Sequence, residues 1–354
     1  MEKVLMKGNE AIAEAAIYAG CKHFFGYPIT PQTEVAAYMS KKLPKIGGTF
    51  LQAESELAAI NMVFGAASAG VRAMTSSSSP GISLKSEGIS YIAACDIPCL
   101  IVNVQRGGPG LGGIQPSQSD YNQATKAPGH GDLKLLVLAP SSVQEMVTCA
   151  CQAFDLAEKY RMPAMILADG ILGQMMEPVS FDGIKKHEPI DKPWAVNGHQ
   201  NRRVHNIINS LVLKPEELEK QNFERFKKYE TVIENEQKYE NYMIEDAEYI
   251  IVAFGVSSRV SKSAINEARK NGVKVGIIRP ISLFPFPEKA FERIQDDPKV
   301  KKLMCVEMNM GQMINDVKLA VRCKKPVELL SHAGGIVPTP NEVYARIMKM
   351  EGGK

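Results

Sequence analysis

No Cys-x-x-Cys pair occurs in this chain of 354 residues, whose seven cysteines stand at 21, 95, 99, 149, 151, 305 and 323. An odd count without paired spacing argues against a disulfide framework, structural zinc or a ferredoxin-type cluster held by this chain, and leaves reduced, mostly buried thiols. No window approaches the roughly 18 apolar residues of a membrane span, and Met1-Glu2-Lys3-Val4-Leu5-Met6-Lys7 lacks the apolar stretch of a secretory leader. A cytoplasmic protein without a membrane partner is expected. Excess charge of one sign is also missing: 42 Lys+Arg against 39 Asp+Glu leave a dispersed +3, so nucleic acid is not an expected ligand. The patterns G-x-x-x-x-G-K-[ST], H-E-x-x-H and G-x-S-x-G are absent, which removes the main support for P-loop, zincin and lipase-like chemistry.

What is present is a globular composition, 45% hydrophobic and 23% charged, with length for about two domains. Short β-rich runs over 23–27, 48–52, 71–75, 99–104, 135–138 and 164–168 alternate with apolar residues at helical spacing over 32–42, 54–69, 80–94 and 142–159. Such alternation predicts a parallel α/β sheet, whose ligands bind beyond the strands' C-terminal ends. Prolines 178, 189 and 193 then punctuate a polar stretch, and 215–239 reads as one charged helix. A second α/β block follows, with strands over 249–254, 274–278, 302–306 and 327–330 and helices near 257–270, 287–295, 310–321 and 340–349. The expected division is a domain over 1–180, a connector over 181–245 and a second domain over 246–354.

The strand-to-helix turns carry the chemistry. In Gly26-Tyr27-Pro28-Ile29-Thr30-Pro31, two prolines stiffen the backbone around Thr30, which serves either as a helix cap or as an aimed hydroxyl. Gln52-Ala53-Glu54-Ser55-Glu56 places two acids at a helix start: Glu54 suits a cap, whereas Leu57, Ile60 and Phe64 mark the face beside Glu56 as buried. A desolvated carboxylate holds its proton more readily and can act as an acid or base, although a buried, hydrogen-bonded acid has the same pattern. Ser76 to Ser79 before Pro80-Gly81 offer hydroxyls to a ligand or a cap to the next helix. Arg106, ahead of Gly107-Gly108-Pro109-Gly110, stands at a strand's C-terminal end and suits a carboxylate.

Other features are weaker. Gly108-Pro109-Gly110-Leu111-Gly112-Gly113 matches G-x-G-x-x-G without a following amphipathic helix, so it reads as a flexible loop. His130 reads as a turn residue rather than a proton relay, and Asp169-Gly170 with Asn197 only faintly echoes a magnesium–diphosphate motif. No metal ligand is expected from this chain.

Taken together, Gly26-Tyr27-Pro28-Ile29-Thr30-Pro31, Ser55-Glu56, Ser78-Ser79-Pro80-Gly81 and Gln105-Arg106-Gly107-Gly108-Pro109 resemble the α-type subunit of the thiamine-dependent 2-oxoacid:ferredoxin oxidoreductases. Arg279-Pro280-Ile281-Ser282-Leu283-Phe284-Pro285 and Glu307-Met308-Asn309-Met310-Gly311-Gln312 resemble that family's transketolase C-terminal-like domain, so the resemblance covers essentially the whole chain. It is most similar to the branched-chain, 2-oxoisovalerate type, with the 2-oxoglutarate type close. The resemblance implies two three-layer α/β parallel-sheet domains, the first being the pyrimidine-binding half of a thiamine diphosphate site. It implies that Glu56 bonds the aminopyrimidine, that Tyr27, Pro28, Ile29 and Ser79 line the cofactor, and that Thr30 and Arg106 hold the 2-oxoacid carboxylate. Gln32-Thr33 departs from relatives that carry two serines there. The resemblance further implies a β-type subunit supplying the magnesium and diphosphate motif, a separate γ-type subunit, iron–sulfur clusters on a ferredoxin-like subunit, ferredoxin as acceptor and coenzyme A as co-substrate. The contrasting expectation is a non-catalytic scaffold in the same complex.

Overall fold

The Gly-, Pro- and Ser-rich turns of the first block all lie at the C-terminal ends of parallel strands, because each closes a strand that is buried on both faces and must hand over to a helix. In the computed structural model, which describes residues 3–352, β1 (Val4–Lys7) leads into α1 (Gly8–Tyr18), β2 (His23–Gly26), α2 (Thr33–Lys42) and β3 (Thr49–Gln52). The chain continues through α3 (Glu56–Ser68), β4 (Ala73–Ser77), α4 (Pro80–Ala94) and β5 (Leu100–Gln105). Then follow α5 (Tyr121–Thr125), β6 (Leu136–Leu138), α6 (Val143–Tyr160), β7 (Ala164–Asp169), α7 (Gly170–Gln174) and β8 (Met176–Val179). Beyond the connector helix α8 (Pro215–Asn235) come β9 (Tyr239–Tyr242), β10 (Tyr249–Val252), α9 (Gly255–Lys270), β11 (Val275–Pro280) and β12 (Ser282–Phe284). The last elements are β13 (Lys302–Glu307), α10 (Met313–Ala320), β14 (Val327–Ser331) and α11 (Pro340–Gly352).

Seven strands form the larger sheet in the order β12-β6-β7-β5-β4-β2-β3, and five form the smaller, β14-β13-β10-β11-β9. Both are parallel apart from the antiparallel edge strands β12 and β9. Every residue of β4, β5 and β7 is buried, as expected where helices cover both faces of a parallel sheet. The fold is α/β, in layered sheets.

Local signals explain the helix starts. The Ser55 hydroxyl accepts from the Ala58 N–H at 3.1 Å, and the Ser142 hydroxyl accepts from Glu145 N–H at 3.1 Å. Proline opens α4 and α8 at the position where its missing N–H costs nothing. Several features differ from the sequence expectation. The antiparallel strands β1 and β8, the helices α1, α5 and α7, β9, which begins where the charged helix was expected to continue, and β12, which leaves the second block to extend the first sheet, have no counterpart in it. The helix expected over 287–295 is only a 3-10 turn, Glu288–Phe291, because burial of Ala290 and Phe291 against the core outweighs a weak helical pattern.

Candidate active site

The turn after β2 is braced from below. Asn9, fully buried in α1, donates to the Pro31 carbonyl at 2.8 Å, and Gln174 of α7 reaches the same oxygen at 3.3 Å. Gln32, also fully buried, donates its N–H to the Ile29 carbonyl at 3.1 Å and accepts the Ser76 hydroxyl. Tyr27, Pro28 and Thr30 are thereby exposed at the tip, with Ile29 half-buried. Helix α2 begins only at Thr33, and its cap position is Gln32, so Thr30 does not cap it.

Arg106 follows β5 and is buried. Its Nη1 donates to the Thr30 carbonyl at 3.0 Å and its Nη2 to the Leu111 carbonyl at 3.2 Å, while Nε is buried without a partner. The two expected substrate-binding residues are therefore side by side, with one guanidinium nitrogen unused. Gly112 lets the following loop fold back, since at φ +57° a Cβ there would lie 1.9 Å from the Gly107 carbonyl oxygen.

Glu56 opens α3 and is 6% exposed, on a face shared with buried Ala59, Ile60, Val63 and Ala67. Leu57, expected on that face, is instead 44% exposed, because the buried stripe runs through the residues three and four beyond Glu56. A Cβ placed on Gly81 would lie 2.8 Å from Glu56 Oε1 and 2.1 Å from Ser77 Oγ, so glycine is what allows α4, Ser77 and Glu56 to meet. Around this point the hydroxyls of Thr75, Ser77 and Ser78 are buried and unpaired. Ser79 is committed elsewhere: its hydroxyl donates to Asp120 Oδ2 at 2.7 Å and accepts the Arg106 N–H at 3.1 Å. Asn103 donates to the same Asp120 oxygen at 2.9 Å and accepts the Ser79 N–H at 3.2 Å. Burial of Asp120 pushes its carboxyl above the ordinary range, against these hydrogen bonds. One carboxylate and three unpaired hydroxyls, all nearly closed to solvent at the adjoining ends of β4 and α3, have the chemistry to bond a ring nitrogen and an amino group, the polar edge of the aminopyrimidine of thiamine diphosphate.

Beside the Arg106 loop, a cavity of about 710 Å³ opens between the two sheets' strand ends, with Leu84, Pro109, Met308 and Met310 among its walls. Its one charged lining side chain is Asp120. The wall from the second block is fastened through Gln118, whose Nε2 donates to the Phe254 carbonyl at 2.9 Å and whose Oε1 accepts from the Ser257 hydroxyl at 2.9 Å and the Met308 N–H at 3.1 Å. Glu307, fully buried, accepts the N–H groups of Gln312, Met313 and Ile314 and so caps α10. Arg279 bonds Glu145 at 2.6 Å and Glu240 at 2.7 Å. Both C-terminal motifs are thus fasteners.

Two weaker features fall outside the cleft. Asp169 Oδ1 caps α7, accepting from Ile171 and Leu172 N–H at 2.9 and 3.1 Å, while Asn197 accepts from Arg203 in the connector. His130 lies edge-on to Tyr91 near a separate depression. Among the described residues, no group of three or more His, Cys, Asp or Glu is arranged to hold a metal ion. No described helix is long and apolar enough to cross a membrane. Asn9, Gln118, Asp120 and Lys85 escaped the sequence reading, and Gln32 entered it only as a departure from relatives; a buried-face lysine at 85, in register with Ile82 and Ile89, was the one available signal among the first four.

Residues 14–246 match the family model "Pyruvate flavodoxin/ferredoxin oxidoreductase, thiamine diP-bdg", and residues 247–343 match "Pyruvate:ferredoxin oxidoreductase core domain II". The chain belongs to the 2-oxoacid:ferredoxin oxidoreductases. It is 49% identical to the ketoisovalerate oxidoreductase subunit VorB of Methanothermobacter marburgensis over 99% of both chains. It is 36% identical to the 2-oxoglutarate synthase subunit KorA of Methanocaldococcus jannaschii, over 98% of this chain and 100% of that one. Among solved structures it resembles the 2-oxoglutarate:ferredoxin oxidoreductase from Magnetococcus marinus with 2-oxoglutarate, coenzyme A and succinyl-CoA bound, at a TM-score of 0.85 and 29% identity. That match covers 98% of this chain but 65% of the other, so the chain spans about two thirds of that protein's length.

Proposed function

We propose that this chain is the subunit of a 2-oxoisovalerate:ferredoxin oxidoreductase that carries the pyrimidine half of the thiamine diphosphate site. The complex would convert the branched-chain oxoacid and coenzyme A to acyl-CoA and CO2, its two electrons leaving singly through iron–sulfur clusters of partner chains to ferredoxin. The observation that carries the reading is buried Glu56 packed with Ser77 at Gly81, on a strand end whose Thr75, Ser77 and Ser78 hydroxyls are unpaired. When bound, thiamine diphosphate supplies a nucleophilic carbon and an electron sink. Glu56 holds and exchanges a proton at the ring nitrogen N1′, a task suited to a carboxylate kept from bulk water. Ser77 and Ser78 take the ring's polar edge. Arg106, with its unused Nε, and Thr30 orient the oxoacid carboxylate; Tyr27, Pro28 and Ile29 flank the cofactor and Ser79 sets the Arg106 backbone.

A β-type subunit supplies the diphosphate and magnesium site, and γ-type and ferredoxin-like subunits complete the complex in the cytoplasm. The branched-chain assignment rests on the VorB likeness and on the cavity wall: a substrate with a second carboxylate would meet Asp120 and no cation there. The test is turnover of the purified complex with 2-oxoisovalerate and 2-oxoglutarate. Preference for 2-oxoisovalerate is expected, and preference for 2-oxoglutarate rejects the assignment.

A further inference from the structure

A lysine occupies the buried stripe of α4 where the pattern calls for an apolar residue. Ile82, Lys85, Ile89 and Ile92 share that face, and Lys85 is 0% exposed. Lysine is rarely fully buried without a carboxylate partner, and an ammonium taken out of water is costly to keep. Here Nζ donates to the backbone carbonyl of Glu56 at 3.2 Å, and among the described residues it forms no ion pair.

The geometry around Glu56 gives this cost a use. Gly81 and Lys85 are one turn apart and so lie on the same side of α4. The first leaves room for the Glu56 carboxylate, and the second holds the Glu56 carbonyl. We propose that Lys85 is a positioning residue for Glu56, pinning the first turn of α3 through that carbonyl and supplying the positive charge that keeps the carboxylate set against Ser77 and Gly81. The inference rests on the reading of Glu56 as the proton-handling group.

Charge on Lys85 is itself poised. Burial pushes the ammonium down to about 8, and the Glu56 carboxylate, the charged group acting on it from α3, pulls the other way. The neighbouring ends of β4 present neutral Thr75, Ser77 and Ser78, and Glu87 of α4 is exposed and bonded by the Tyr91 hydroxyl. The ammonium is thus charged at neutral pH and loses its charge as the pH rises through about 8.

The test compares Lys85→Met and Lys85→Gln in the assembled holoenzyme, with hydrogen–deuterium exchange at the first turn of α3 in the cofactor-free complex as a second readout. Lys85→Met is expected to lower kcat/KM roughly tenfold, to abolish an alkaline limb near pH 8 and to speed exchange at Glu56–Ile60. Lys85→Gln keeps a donor without the charge, so it should retain slow exchange and still lose the limb. In a Glu56→Gln background, Lys85→Met should cost no further activity. A wild-type pH profile with unchanged exchange in both variants, or a loss that multiplies with that of Glu56→Gln, would overturn the proposal. Full activity in Glu56→Gln alone would instead sink the reading of Glu56, leaving the pinning role to be decided by exchange.

Discussion

Two buried polar regions of this chain stand about one loop apart and differ in whether their groups are paired. At the C-terminal ends of β4 and β5, the hydroxyls of Thr75, Ser77 and Ser78 and the Nε of Arg106 are buried with no partner. Along the seam between the sheets, Gln118, Gln312 and Arg279 spend their polar atoms on partners from distant parts of the chain. An unpaired buried group costs about 1–3 kcal/mol, so several at successive positions of one strand end call for a partner that this chain does not supply, a ligand or bound water. Full pairing across the seam marks groups that hold the two blocks in register. The same residue chemistry therefore separates a binding site from a fastener.

The largest effect that tests this contrast is at Glu56. Changing Glu56→Gln keeps shape and removes proton exchange, so turnover of the assembled complex should fall by roughly 10²–10⁴-fold with subunits still associated. Near-normal turnover would favour a scaffold role. At the seam, Arg279→Met should do the reverse. It leaves Glu145 and Glu240 without their shared cation and should cost about 3 kcal/mol of stability, read by denaturant midpoint, while kcat of the folded fraction is kept. An Arg279 variant that is stable but inactive would erase the distinction between the regions.

How much of this was legible beforehand follows the same line. Helix α4 was read with its true bounds, 80–94, because Ser79-Pro80 and the apolar stripe are local signals. The ends of β2 and β5, and with them the positions of Thr30 and Arg106, were legible to within a residue because parallel strands are short apolar runs closed by turn residues, whereas the strand read over 71–75 lies over 73–77, so that Ser77, read as part of the turn, ends β4. The seam was not, since Gln118 and Met308 are 190 positions apart and nothing in either neighbourhood names the other. Leu57 was misplaced because a hydrophobic residue next to a buried one was assigned the same face, whereas helical geometry puts the neighbour about 100° away. Ser79, expected to line the cofactor, has a hydroxyl already engaged by Asp120 and Arg106.

Between the two regions stands Asp169, buried and engaged as a cap, whose carboxyl burial pushes up to about 6 from 3.8. Its folded pKa lies above the unfolded one, so between about pH 4 and 6 the folded chain keeps a proton that the unfolded chain has lost. Its contribution to stability therefore falls as pH rises through that window, by up to roughly 3 kcal/mol. Asparagine caps equally well. Asp169→Asn should flatten this pH dependence and raise stability at pH 7 by about 1–2 kcal/mol in thermal unfolding; an unchanged pH slope would show that the cap's hydrogen bonds already offset the burial.

The smallest effects make the sharpest comparison, because a single hydroxyl can be deleted from each region. Ser257, fully buried at the seam, donates to Gln118 Oε1 at 2.9 Å. Ser257→Ala should cost about 1 kcal/mol and leave cofactor affinity alone. Ser78 is equally buried but unpaired. Removing a hydroxyl that has no partner relieves the folded chain of its desolvation, so Ser78→Ala should be within about 0.5 kcal/mol of the parent or slightly more stable. Its loss should appear on titration of the assembled complex with thiamine diphosphate, as an affinity roughly tenfold weaker. If Ser78→Ala instead destabilised the chain as much as Ser257→Ala and left affinity unchanged, the unpaired hydroxyls would be structural, and the cleft would lose the property that distinguishes it from the seam.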